Sequence, residues 1–137
     1  MSGDCVFCKI IQGGIPSYTV FEDGDFKAIL DIAPASAGHV LILPKRHADD
    51  VFTLDEASAA KLFPLAKRLA QAVKEATGCD GINLLQNNGE ASGQTVRHLH
   101  LHIIPRQAGD GVLPEWAHLT HDADAFKSMT QAIQDRL

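Results

Sequence analysis

The sequence predicts one α+β domain in which antiparallel strands wrap around a single main helix, with short helices near the N- and C-terminal ends. Three observations lead there. Only one long amphipathic pattern occurs, over residues 54–77. The strand-like stretches are short, and turn signals rather than helices separate the first two. The chain has 137 residues, 45% of them apolar and 21% charged, the composition of an ordinary globular domain that spans residues 1–137 as one unit.

Residues 4–12 read as a short helix ended by Gly13-Gly14. Residues 18–22 and 26–31 alternate like strands around the turn Asp23-Gly24-Asp25. Residues 38–44 follow, and Val40-Leu41-Ile42-Leu43 reads as a buried strand. In the main helix, Thr53 and Glu56 fit a capping box. Leu62, Leu65, Leu69, Ala72, Val73 and Ala76 form its apolar stripe, and Gly78 ends it. Pro64 inside this pattern predicts a kink or two abutting helices near residues 60–64. Residues 81–86 read as a strand, 87–94 as a loop, 96–106 as a strand closed by Pro105, and 122–137 as a C-terminal helix.

Charge and hydropathy narrow the function classes. Twelve basic against seventeen acidic residues leave a net charge of −5, a poor match for the polyanionic surfaces of nucleic acids or membranes. The longest apolar run is the four residues 40–43, far below the roughly 18 needed to span a bilayer. The N-terminal residues carry no basic stretch followed by an apolar one, so a cytosolic protein is expected. Three cysteines are too few for a disulfide scaffold.

The informative segment is His98-Leu99-His100-Leu101-His102-Ile103-Ile104. In a strand, strict alternation puts three imidazoles on one side and Leu99, Leu101 and Ile103 on the other. A single such histidine is most simply a half-buried strand residue. Three on one face are costly to bury without a purpose. Two chemistries suit them: a metal held by His-x-His, or a nucleophilic imidazole whose neighbours shape the charge around a phosphoryl group. The loop before the segment favours the second. Gly89 and Gly93 let backbone N–H groups approach an anion, and Ser92 and Thr95 offer hydroxyls.

With its flanks, residues 93–106, this segment resembles the signature of the histidine triad family, His-φ-His-φ-His-φ-φ with φ apolar. The resemblance extends to residues 4–11, 26–32 and 38–47 and covers most of residues 4–106; beyond Arg106 it stops. The branch it looks like is that of the nucleoside phosphoramidate hydrolases. It implies a five-stranded antiparallel sheet that pairs across a two-fold homodimer, and hydrolysis of purine nucleotides at the α-phosphate. By this resemblance, His100 attacks phosphorus and forms a nucleotidyl-histidine, with its other ring nitrogen held by the carbonyl of His98. His102 and His39 contact phosphate oxygens, and the Thr95 hydroxyl contacts the phosphate or leaving group. Gly93 falls in the same phosphate loop, and Gln94 and Asn87 line the phosphate pocket. Asp31 holds the ribose hydroxyls, and Phe7, Ile10, Ile29 and Ile32 form the base slot. Without the resemblance, Asp31 reads as a turn residue before Ala33-Pro34 and the four apolar residues as core.

Cys5-Val6-Phe7-Cys8 is a second constellation. Alone, Cys-x-x-Cys leaves zinc, redox chemistry and neither open. Zinc takes four ligands, and His47 and His98 match the remaining two in zinc-binding members of the superfamily. The resemblance thus implies a closed, structural Zn2+ site of Cys5, Cys8, His47 and His98. No organic cofactor is implied. Cys79 reads as a small buried apolar residue, and His118 and His121 as exposed. Cleavage of dinucleoside polyphosphates, nucleotidyl transfer, a nucleotide-binding scaffold and a zinc hydrolase that uses the triad as ligands are the rival readings.

Overall fold

The computed structural model describes residues 3–137. Its elements, in order, are α1 (Val6–Ile11), β1 (Thr19–Glu22), β2 (Phe26–Leu30), β3 (Val40–Pro44), α2 (Glu56–Thr77), β4 (Gly81–Gln86), a 3-10 turn (Glu90–Ser92), β5 (Leu101–Arg106) and α3 (Ala123–Gln134). The five strands form one antiparallel sheet in the order β1-β2-β3-β5-β4. The expected α+β class holds.

Strand β3 organises both cores because it is buried throughout. Its side chains alternate. Val40 and Ile42 pack with Ala28, Leu101 and Ile103 against Leu65, Ala66 and Val73 of α2. Leu41 and Leu43 point the other way and pack with Ile29 against Phe7, Cys8 and Ile10 of α1. The sheet therefore carries α2 on one face and α1 on the other. His102, between Leu101 and Ile103 on β5, projects to the α1 face.

Several boundaries differ from the sequence reading. Helix α2 is capped by Asp55, whose carboxylate accepts from Ser58 N–H at 3.0 Å, not by Thr53. The Thr53 hydroxyl is taken by a preceding turn, where it accepts from the N–H groups of Asp49 and Asp50. The helix runs unbroken through Pro64. Pro64 and Ala60 are both exposed, so water can serve the carbonyl that the proline leaves without a donor. At its far end Gly78 adopts φ 63° and donates to Lys74, as a terminating glycine should.

Regular pairing of the His segment starts only at Leu101, opposite Ile42, so residues 96–100 are not a strand. β3 ends at Pro44, and this stretch is held instead by Leu99 N–H donating to the Ala48 carbonyl at 2.7 Å. Gly38, at φ 94°, lets the last turn of α2 pack closely: a Cβ there would lie 2.7 Å from Cγ2 of Thr77. Among the described residues no helix is long and apolar enough to cross a membrane.

Candidate functional site

The candidate site lies on the α1 face of the sheet, in a cleft of about 450 Å³. Its apolar wall includes Phe7 and Ile10 from α1, and Ile29 and Leu41 from β2 and β3. Its polar side is Asp31, Thr95, His100 and His102. The main-helix face that supplies most of the core takes no part.

Two of the triad rings, His98 and His100, have fixed tautomers, because each has a nitrogen facing a backbone carbonyl, which can only accept. His100 Nδ1 lies 2.7 Å from the carbonyl of His98, so it carries the proton and donates. Its Nε2 is left with the lone pair. His98 Nε2 lies 2.8 Å from the Pro44 carbonyl and likewise donates, so its Nδ1 holds the lone pair. His39 Nδ1 lies 3.0 Å from the backbone N–H of Ala35, and its Nε2 lies 2.9 Å from His102 Nδ1. Burial holds His39 and His100 below the ordinary histidine pKa. It pushes His102 down to about 4, helped by its proximity to His100 and His39. These rings are therefore neutral at pH 7, and a neutral imidazole has a nucleophilic nitrogen.

The loop before the triad is shaped by its backbone. Gly89 and Gly93, with φ of 91° and 100°, flank the 3-10 turn. Gln94 is buried, and its amide is spent on this loop. Its oxygen accepts from Gly89 N–H at 2.8 Å, and its nitrogen donates to the carbonyls of Asp49 and Val96 at 2.6 and 3.0 Å. Gln94 thus braces the loop and has no free donor for a phosphate. Thr95 is exposed at the cleft, and Asn87 stands half-buried beside Gly93. Asp31 accepts from Ala33 N–H through one oxygen, and the other lies 3.6 Å from His39 Nε2. Ile32, 85% exposed, sits at the cleft rim, while Phe7, Ile10 and Ile29 form its wall.

Cys5, Cys8, His47 and His98 converge behind the triad. Sγ of Cys5 lies 3.4 Å from His98 Nδ1, and Sγ of Cys8 lies 3.3 and 3.6 Å from Nδ1 of His47 and His98. The two Nδ1 atoms are 3.1 Å apart. His47 Nε2 donates to Asp49 at 2.8 Å, and His98 Nε2 to Pro44. Both Nδ1 lone pairs therefore point into the cluster, towards each other and towards the two sulfurs, as ligand atoms do around a cation. A zinc tetrahedron has N–N edges of about 3.3 Å and S–N edges of about 3.6 Å, calculated from ordinary Zn–N and Zn–S bond lengths. The cluster has those dimensions, so these four residues fit a zinc ion.

The HIT domain matches residues 12–109 of this chain, more than half its length. The chain belongs to the HIT family. Among its relatives is adenosine 5'-monophosphoramidase from Schizosaccharomyces pombe, 37% identical over 134 residues, 97% of this chain and 98% of that protein. The crystal structure of a HIT family protein from Bacillus anthracis superposes with a TM-score of 0.92 at 35% identity, covering 100% of this chain and 99% of that one. A zinc-bound histidine triad family protein from Mycobacterium smegmatis superposes with a TM-score of 0.75 at 37% identity, covering 91% and 87%.

Within this HIT chain the sequence reading missed three groups. Asp49 fixes the His47 tautomer, and its signal was present as His47-x-Asp49. The Pro44 carbonyl and the Ala35 amide, which do the same for His98 and His39, are backbone groups that any sequence hides. His118 and His121 are exposed, and Cys79 is buried.

Proposed function

We propose that this protein hydrolyses purine nucleotides at the α-phosphate and releases the nucleoside monophosphate, with a nucleoside 5'-phosphoramidate or acyl nucleotide as substrate. The observation that carries the reading is the hydrogen bond from His100 Nδ1–H to the His98 carbonyl, on a ring that lines the cleft. It leaves Nε2 unprotonated for attack on phosphorus. In the first step the bond from His100 Nε2 to phosphorus forms as the bond to the leaving group breaks; an amine leaving group takes up a proton from solvent, and an acyl group leaves as its carboxylate. In the second, water attacks phosphorus, the bond to Nε2 breaks with its electron pair returning to the imidazole, and the proton lost by the water goes to solvent. His102 and Thr95 contact the phosphoryl group or leaving group. Gly93 and Asn87 shape its pocket, Asp31 holds the ribose, and Phe7, Ile10, Ile29 and Ile32 receive the base. The adenosine 5'-monophosphoramidase relative supports both the enzyme class and the substrate class.

Cys5, Cys8, His47 and His98 would hold a structural zinc ion. With four protein ligands the ion supplies cross-linking rather than catalysis. It would tie α1 to the loop after β3 and to the triad segment. A homodimer is supported by β4, which lies at the open edge of the sheet beside the exposed Phe63 of α2. No disulfide joins the three cysteines, which suits a reducing cytosol.

The test is hydrolysis of adenosine 5'-phosphoramidate by the pure protein beside His100→Asn. Release of AMP by the wild type alone supports the reading. A wild type that binds AMP but turns over neither the phosphoramidate nor a dinucleoside polyphosphate overturns it in favour of a binding protein.

A further inference from the structure

His39 and His102 form a chain whose direction is set at its far end. The Ala35 amide can only donate, so His39 Nδ1, 3.0 Å away, must present its lone pair. His39 is 4% exposed, and burial favours the neutral ring. Its one proton is then on Nε2, which lies 2.9 Å from His102 Nδ1 and farther, 3.6 Å, from Asp31. The proton is therefore donated to His102, whose Nδ1 accepts. His102 must in turn carry its own proton on Nε2.

We propose that the Ala35 amide, acting through His39, fixes the tautomer of His102 so that this ring meets the phosphoryl group as an Nε2–H donor. This rests on the proposed hydrolysis and refines it. His39 becomes a positioning residue, because the proton that would contact a phosphate oxygen is already given to His102. Adjacent rings, with centroids 4.9 Å apart, then hold opposite functions at neutral charge. His100 offers a lone pair to phosphorus, and His102 offers an N–H to the oxygen on which charge develops. With the Nδ1–H tautomer, His102 would aim a second lone pair at that oxygen and repel it.

The same geometry bears on metal binding. Asp31, His39 and His102 bring ligand atoms within 4.8 Å of one another, a density that suits a divalent cation. A metal on His39 Nε2 would force the proton to Nδ1, against the Ala35 N–H. The tautomer chain thus disfavours a metal on His39 and leaves the Nε2–H of His102 for a phosphate oxygen.

The experiment is a long-range 1H–15N correlation spectrum of the 15N-labelled, zinc-loaded full chain without nucleotide, at neutral pH. The expected result is protonated Nε2 and unprotonated Nδ1 on both His39 and His102. His39→Gln supplies one acceptor and one donor in place of the two ring nitrogens, and should keep the His102 tautomer. His39→Leu should let Nδ1–H of His102 appear, with kcat on adenosine 5'-phosphoramidate lowered at least about tenfold. KM should change less, and His39→Gln should recover most of the loss. A wild-type His102 protonated on Nδ1 overturns the proposal. So does a folded His39→Leu variant whose His102 tautomer is unchanged. The spectrum of the wild type decides the matter even if His39→Leu does not fold, or if the protein turns over no phosphoramidate.

Discussion

The carbonyl of His98 accepts the Nδ1–H of His100 at 2.7 Å, while the side chain of the same His98 points its Nδ1 at Cys5, Cys8 and His47. One residue therefore belongs to both centres: its ring to the Cys2His2 cluster, its backbone to the nucleophile. A change at the cluster that moves residue 98 also moves the acceptor that fixes the tautomer of His100.

Metal removal should therefore lower stability first and activity with it. A strong chelator is expected to reduce the melting temperature by roughly 10 °C, the shift that a loss of about 3 kcal/mol produces in a domain of this size. Cys8→Ala should start from the lower value and respond little to chelator. Calorimetric melts of both proteins, with metal analysis, check this. A wild type that loses zinc without any change in melting would separate the ion from the fold.

Asp49 holds His47 through a 2.8 Å contact on the nitrogen that faces away from the cluster. Asp49→Ala should weaken zinc binding by roughly 10–100-fold, the usual effect of removing a carboxylate behind a ligating imidazole. Competition with a chromophoric chelator measures it. Asp49→Asn should lose less, because its side-chain oxygen still accepts from His47 Nε2.

Gln94→Ala would leave three backbone groups, on Gly89, Asp49 and Val96, without their partner. The expected cost is about 2–3 kcal/mol in denaturant unfolding, reduced to the extent that water enters. If Gln94 acted only as a phosphate ligand, KM would rise and stability would stay unchanged.

The fold was legible in the sequence where periodicity and turn chemistry agree. Leu62, Leu65, Leu69 and Val73 of the α2 stripe, its end at Gly78, the buried run 40–43 and the turn at residues 23–25 all lie where their patterns place them, whereas Ala72 and Ala76 of the stripe are exposed. The failures have physical causes. Thr53 and Glu56 carry the spacing of a capping box, but a turn captures the Thr53 hydroxyl and Asp55 supplies the cap. Alternation of His and Leu reads as strand from residue 96, yet pairing begins at Leu101, because the segment before it is tied to Ala48 and Pro44. In the site, residue types were legible and tautomers were not. Which nitrogen of His39, His98 or His100 carries the proton is set by the backbone groups of Ala35, Pro44 and His98, and no side-chain pattern records them.

Stability should fall as pH drops from 6.5 towards 4. Burial lowers His102 from 6.5 in the unfolded chain to about 4 in the folded protein. Between those values the unfolded chain binds the proton and the folded protein does not, so acid favours unfolding there. His39 is shifted in the same direction by the same cause. Urea unfolding across this range should show stability rising with pH and levelling above about 7. In His102→Gln the slope between 4 and 6.5 should shrink.

Hydrolysis by this route requires that His100 Nε2 become bonded to phosphorus. The direct measurement is a rapid reaction of wild type with adenosine 5'-phosphoramidate, stopped in alkaline denaturant, which preserves a phosphorus–imidazole bond, followed by fragmentation of the peptide that spans residues 98–106. The expected result is an AMP adduct on His100 that forms and decays at rates consistent with turnover. His100→Asn keeps a donor for the His98 carbonyl, but should form no adduct and lose at least about 10³-fold in rate. Turnover without an adduct on His100, or an adduct on His98 or His102 instead, would contradict it.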